Sequence, residues 1–493
     1  MKSGYKYLLP IIACLFVLIY SSSTSPFFAE EGADSAVFKT MGLALLKGKI
    51  PYLDIFDHKG PVLYFIQAFG QWLVPGRLGI MLLQCISLAI SLFLIYKIAN
   101  LFVCAWKSFV TVIFSISILS AYYAVGNTCE EWELPFLCIS TYLSIKFLSN
   151  YENGKHPPIY GFVYGLCFAA VFLIRPNDAV AQIGGVMLGV FLYLCIIHEY
   201  KNALINFCLF LCGVLFVSLP VFLWYAIHNA VCDMLYGLIG HNMLYSEGIL
   251  TMLKSVFVLS KLSKFIWIVS IIIMAINAQK KKILFALIPM ALFSMIFIGP
   301  RGYEHYYIAT LCLYALWGAL MVTQKNWQIV ALSLCLFLCS QQSVIVVAKS
   351  RVKYSVKYVA NYLAGKQVYV SEREFYEHSE KLFAYIPENE QDSIWNYNLM
   401  WDKHSYFSVL WHHGVVQSNY VTLHIMCAVD PNIMKRNNIY EHMPKWVLLN
   451  TGDDAFYYSD NDREYLMAEY DTVVAIPPNI GNLALFKKKE QPQ

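Results

Sequence analysis

About eleven stretches of this 493-residue chain are apolar and close to the length that crosses a bilayer, and they restrict the fold more than any other feature. They run Tyr7–Tyr20, Gly79–Ile98, Phe109–Val125, Leu134–Leu148, Ile159–Ile174, Ala179–Ile197, Leu204–Ala226, Phe265–Ala278, Ile283–Ile298, Tyr306–Val322 and Ile329–Val347. Hydrocarbon offers no water to unpaired N–H and C=O groups, so each run must close its hydrogen bonds internally as a helix. The first run, with Lys2 and Lys6 ahead and serines behind, also resembles a signal peptide. No small-x-small cleavage site follows it, and it is read as an anchor. Composition agrees: 58% of residues are hydrophobic and 14% charged, against about 25% charged in soluble domains. That excludes disorder, a collagenous fibre and a coiled coil. A net charge of +4, dispersed along the chain, gives no reason to expect a nucleic-acid partner.

Orientation follows from Lys and Arg in the short connections. With the N-terminus inside, the cytoplasmic loops hold Lys97, Lys107, Lys155, Lys201, Lys280, Lys281, Lys282 and Lys325, whereas the short outer turns hold only Arg175 and Arg301. An odd number of spans then places the C-terminal part outside. Of the 14 acids before Lys349, all but Glu152 and Glu199 fall on the outer side. Acids contribute little to topology, so their gathering in turns a few residues long points to chemistry on that face.

The remaining 18 of the 32 acids lie from Lys349 onward, which divides the chain into a membrane part, 1–348, and an extracytoplasmic soluble part, 349–493. In the tail, Gln367–Val370, Ser393–Tyr397, Trp446–Leu449, Thr472–Ala475 and Leu483–Phe486 predict strands, Arg373–Ala384 and Asp462–Glu469 helices, and Asn479–Asn482 a turn. The expected fold is an α-helical polytopic membrane protein with a small soluble α/β domain. Cys427 is the tail's single cysteine, so no disulfide framework staples it. Trp411-His412-His413 lacks a third ligand at recognisable spacing and reads as packing or surface.

The first outer loop is the richest segment. Glu30-Glu31-Gly32-Ala33-Asp34 precedes a helical pattern of Val37, Met41, Leu45 and Leu46 with Lys39, Lys47 and Lys49 interspersed. The pattern predicts a helix in the interface plane whose lysines snorkel to headgroups. A second such helix is expected from Pro61, with Leu63, Tyr64, Phe65 and Phe69 as its apolar part. Asp34 carries two readings. It is an N-cap of the helix that follows, or a carboxylate that takes a proton from an attacking hydroxyl while Lys59 neutralises a phosphate leaving group. Asp54, Asp57 and His58 also have the chemistry of a divalent-metal cluster, with pairing or loop orientation as the alternative for Asp57.

An outer-loop Asp followed by Pro51-Tyr52-Leu53-Asp54-Ile55-Phe56-Asp57-His58-Lys59-Gly60-Pro61-Val62-Leu63-Tyr64 resembles the GT-C class of membrane glycosyltransferases. Within it, the stretch is similar to bacterial family-39-like enzymes related to protein O-mannosyltransferases and lipid A aminoarabinose transferases. Gly60 stands where the commoner residue is Pro, and His58 where some relatives have Glu. Asn127-Thr128-Cys129-Glu130-Glu131-Trp132-Glu133, Ile174-Arg175-Pro176-Asn177 and Gly299-Pro300-Arg301-Gly302-Tyr303-Glu304-His305-Tyr306 resemble that class's later outer loops.

The resemblance implies a GT-C fold and a polyprenyl-phosphate sugar donor, used at the outer face of a bacterial cytoplasmic membrane. It implies a first-loop carboxylate, here Asp34, as catalytic base of an inverting transfer, with Lys59 on the donor phosphate. Arg301 suits a phosphate clamp because its planar fork donates two parallel hydrogen bonds, and His305 adds a donor beside it. Asp57, His58, Tyr64, Glu130, Glu131, Arg175 and Tyr306 are expected to orient substrate. Pairing with local acids or headgroups is the plainer reading of the two arginines, and an interfacial contact that of His305. The acceptor is a lipid, glycan or protein hydroxyl, the other partners are membrane lipids, and no cofactor is assigned beyond the metal alternative. A transporter or flippase of lipid-linked saccharides is the rival. It would need polar residues near the midplane and repeated, broken spans, and the charges here collect at one face.

Overall fold

The computed structural model describes residues 4–28, 32–149, 155–245, 253–254, 264–298, 303–366, 370–397, 407–420, 429–452, 460–478 and 482–490. Each of the eleven apolar runs is centred on a helix: α1 (Leu9–Tyr20), α4 (Arg77–Ala99), α5 (Ala105–Tyr122), α6 (Cys129–Ser149), α7 (Pro158–Phe172), α8 (Pro176–Ile196), α9 (Tyr200–Ile227), α10 (Trp267–Asn277), α11 (Leu284–Phe297), α12 (Leu311–Thr323, entered through a 3-10 segment, Glu304–Thr310) and α13 (Trp327–Leu363). Six of these stretches, among the described residues, are both long and apolar enough to cross a membrane by themselves. The first loop supplies α2 (Ala33–Leu46) and α3 (Pro61–Leu73). Pro61, Pro158 and Pro176 open their helices, where the missing N–H has no intrahelical partner to lose.

In lipid the helices are drawn together by close packing rather than by hydrophobicity, and small residues permit it. A Cβ on Gly165 of α7 would lie 2.0 Å from the Phe210 carbonyl oxygen, and one on Gly213 of α9 would lie 2.2 Å from that of Phe162, so the two backbones touch. α9 packs its inner side this way and turns Leu204, Leu211, Leu215, Phe216, Leu219 and Leu223 outward, as a lipid-facing helix does.

α13 carries the chain out of the bundle. The boundary expected at 348/349 falls inside this helix, which bends at Gln341 (φ −113°, ψ 15°). There the amide oxygen accepts from Tyr122 Oη (2.8 Å) and Tyr314 Oη (3.2 Å), anchoring the bend in the core.

The tail holds a four-stranded sheet in the order β1 (Ile394–Asn396), β2 (Trp446–Asn450), β4 (Leu483–Lys488), β3 (Tyr470–Ala475). β1 is parallel to β2 and the other pairs are antiparallel. The helices Val370–Phe383 and Asp460–Glu469 stand where the sequence predicts them. A strand was expected at Gln367–Val370; 367–369 lie outside the described residues, as do 479–481 of the expected turn, and Val370 begins a helix.

The lysines of the first loop do not snorkel. Lys39 is fully buried, its Nζ donating to Ser23 O (2.6 Å) beneath the Trp411 ring. Lys47 pairs with Asp392 (2.7 Å), and Lys49 donates to Gln417 O. The tail covers the face on which headgroups were expected, because α2 lies against the tail helix Phe407–His412.

Candidate active site

α2 begins at Gly32, whose extended backbone caps the helix without any side-chain bond. The Gly32 N–H is held by Ser23 Oγ (3.1 Å), so Asp34 is not the N-cap; it sits exposed in the first turn. A carboxylate there is favoured by the helix dipole and is left free to act. Its charge reaches His58, Lys59 and Tyr306. Ser35, next to it, accepts from Asn127 Nδ2 (2.9 Å), while Asn127 also exchanges hydrogen bonds with Gln67 of α3 (2.8 and 3.1 Å). Asn127 lies in the left-handed region (φ 58°), which Asn tolerates better than most residues. It thereby ties the head of α2 to α3 and α6.

The loop between α2 and α3 presents a relay of polar groups. Tyr64 Oη donates to Asp57 Oδ2 (2.8 Å), Asp57 Oδ1 lies 3.3 Å from His58 Nδ1, and His58 Nε2 lies 3.1 Å from Lys59 Nζ. Burial alone would raise the Asp57 carboxyl, but His58, Lys59 and the Tyr64 hydroxyl outweigh it and hold it at about 2. Burial, together with the Lys59 charge, pushes the His58 imidazole below its usual value, so it accepts from the ammonium at neutral pH. Burial works against the Lys59 charge, yet Cys129 and Tyr306 close by, with a smaller contribution from Asp34, outweigh burial and the opposing Arg175 and keep the ammonium above its ordinary range. Asp54 does not join this group; its carboxylate accepts from the Ile50 N–H (2.7 Å), and no three-ligand metal cluster forms among the described residues.

Gly60 joins this loop to the membrane bundle. Its N–H donates to Ile174 O (2.8 Å) and the Val62 N–H to Leu173 O (3.0 Å), which seats Lys59 beside the end of α7 and hence beside Arg175. The Arg175 guanidinium ion-pairs with Glu130, donates to Asp178 Oδ2 (3.0 Å) and lies 3.8 Å from the centre of the Tyr306 ring. His305 lies within electrostatic reach of Glu130.

The two glutamates of the 130s loop thus part company. Glu130 faces Arg175, whereas Glu131 is spent on structure, accepting from Gln84 Nε2 (2.9 and 3.0 Å), Tyr123 Oη and the Asn127 N–H (2.7 Å). Arg301 lies outside the described residues, as do Glu30 and Glu31.

Two members escaped sequence reasoning. Glu133 and Asp178 are fully buried and face one another next to Arg175. Their signal was spacing: Glu133 lies three residues after Glu130 on one face of α6, and Asp178 lies three after Arg175, the extended residue that precedes α8.

Comparison with known proteins gives one family match and a set of shared folds. Residues 58–225 match the family model described as dolichyl-phosphate-mannose-protein mannosyltransferase. The architecture matches ArnT from Cupriavidus metallidurans bound to undecaprenyl phosphate, at a TM-score of 0.60 and 12% identity over 100% of both chains. The apo state of the same protein matches at 0.58, 12% identity and 99% of both. An Archaeoglobus fulgidus oligosaccharyltransferase tethered with an acceptor peptide aligns at 0.48, with 11% identity over 91% of this chain and 69% of that one. No curated protein sequence matches.

Proposed function

We propose that this chain is a membrane glycosyltransferase of the GT-C class that transfers a hexosyl or pentosyl group from a polyprenyl-phosphate donor to an acceptor hydroxyl, with inversion; the family match over residues 58–225 and the fold shared with ArnT support the class. The observation that carries this reading is the exposed Asp34 carboxylate, free of capping duty and within electrostatic reach of Lys59. The acceptor oxygen attacks the anomeric carbon and its proton passes to Asp34. The bond from that carbon to the phosphate oxygen breaks, and the lipid phosphate leaves with the electron pair. Lys59 neutralises the departing charge, and Arg301 and His305 add donors to it.

Arg175, fixed by Glu130 and Asp178, contributes positive potential from a rigid mount. Asp57, His58 and Tyr64 hold the Lys59 ammonium in place. The reaction takes place at the outer face of a bacterial cytoplasmic membrane, with the N-terminus inside and the tail domain beside the site. The ArnT structure holding undecaprenyl phosphate supports the donor class by analogy of fold.

The test uses purified protein in proteoliposomes with a panel of polyprenyl-phosphate sugars. Asp34→Asn is expected to abolish transfer while donor binding persists, and Lys59→Ala to weaken donor binding. Undiminished transfer by Asp34→Asn would sink the assignment of the base.

A further inference from the structure

Among the described residues, two of the contacts between the tail domain and the membrane part fall on the elements that carry the proposed chemistry. The first is α2. The Trp411 indole lies over Lys39 Nζ at 4.3 Å from the ring centre and donates from Nε1 to Gln71 Oε1 (2.8 Å). Gln71 Nε2 in turn donates to Lys39 O (2.9 Å). Lys39 lies five residues after Asp34, about 7.5 Å along the axis. Its Nζ holds Ser23 O, and Ser23 Oγ holds the Gly32 N–H that starts the helix. The contacts therefore run Trp411, Lys39, Ser23, Gly32, and end two residues before the proposed base.

Burial, with Arg77 close by, lowers the Lys39 pKa well below its ordinary value, and the amine donates to Ser23 in either protonation state. A buried amine is tolerated only where polar or aromatic partners replace water, and here the tail supplies one of them.

The second place is the loop ahead of Lys59. The Phe56 N–H donates to Tyr420 O (2.6 Å), Tyr420 Oη donates to Tyr52 O (2.7 Å), and Tyr52 Oη donates to Lys59 O. Arg436 stacks on the Tyr420 ring at 3.8 Å and donates to Leu53 O (2.8 Å).

We infer that the tail domain is a positioning device for the transfer site, with Trp411 setting the helix that carries Asp34 and Tyr420 setting the loop that carries Lys59. The inference rests on the roles proposed for Asp34 and Lys59. Its test therefore includes a readout independent of them.

Hydrogen exchange of the full chain in proteoliposomes is compared for the unmodified protein, Trp411→Leu, Trp411→Phe and Tyr420→Ala, alongside transfer kinetics. Trp411→Leu is expected to speed exchange across residues 33–46 and lower kcat about tenfold or more, with KM for the donor within about twofold; ångström-scale misplacement has effects of this size. Trp411→Phe, which keeps a ring over Lys39, is expected to recover most of the loss. Tyr420→Ala is expected to speed exchange across 50–60 and act mainly on KM, about fivefold or more.

Unchanged exchange in 33–46 for Trp411→Leu, or equal loss of kcat and KM effects in both variants, overturns the inference. Should Trp411→Leu fail to fold, Lys39→Met is the substitute, with the same exchange and kinetic criteria. An active Asp34→Asn enzyme would instead overturn the assignment of the base and leave the exchange result to decide on the positioning.

Discussion

Gly60 backs onto the carbonyl of Leu173 so closely that a Cβ on it would lie 2.1 Å from the oxygen and 2.3 Å from the carbon. Its φ is −80°, so the backbone is one any residue adopts; space alone demands glycine. The contact fixes where Lys59 stands relative to Arg175.

Gly60→Ala is thus expected to fold with displacement of the Lys59 loop. Overpacking of this kind costs about 1–3 kcal/mol, and the rigid partner here is backbone. Donor KM should rise about tenfold or more, with a lower Tm. A variant with unchanged donor KM would show that the loop's seating on α7 has no part in donor binding.

Arg175 serves Glu130, Asp178 and the face of Tyr306 at once. A lysine offers a point charge in place of a planar fork, so Arg175→Lys should lose about tenfold or more in transfer while remaining folded. Arg175→Ala leaves buried carboxylates without their cation and should lose about 3–5 kcal/mol of stability. Adding Glu130→Gln to it should restore part of that loss, and strict additivity in the double-mutant cycle would contradict the coupling.

Acid should destabilise the loop in two steps. The folded His58 pKa lies below the unfolded value of about 6.5, so as pH falls through that value the unfolded chain takes the proton first and stability declines. Asp57 is held at about 2, below the unfolded value of about 3.9. Its contribution, on the order of 2 kcal/mol, is complete above pH about 4 and disappears as pH falls towards 2. Melting curves of purified protein between pH 3 and 7 should show both declines, and Asp57→Asn should remove the lower one. A lower step unaltered by Asp57→Asn would place its origin elsewhere.

Much of the scaffold was legible locally. The apolar runs became helices because a lipid-embedded backbone has no alternative, and Ile394, Trp446, Tyr470 and Leu483 begin strands where short apolar runs alternate with turn residues. Asp57, Lys59 and Tyr64 were legible as a set because they sit within eight residues of one another. Lys39 was misread because a lysine on an amphipathic helix is normally solvated, and nothing near it in sequence announces Trp411, 372 positions later. Glu130 and Glu131 are adjacent and chemically identical, and their separation into an Arg175 partner and a structural acceptor depends on which neighbours each helix face meets.

The chain's own periodicity and its scarcity of charge were enough to determine the membrane bundle, the α/β tail and the gathering of acids at connecting turns, since these follow from solvent and from local hydrogen bonding. Folding settled which of those acids stay free. Asp34 is exposed in the first turn of a helix whose N-cap is Gly32, held by Ser23, Arg175 is fixed because Glu130 and Asp178 converge on it, and the tail meets the first loop through Trp411 and Tyr420. Each of these is a contact between residues remote in sequence, whose free energy depends on burial and geometry that no local window of residues contains.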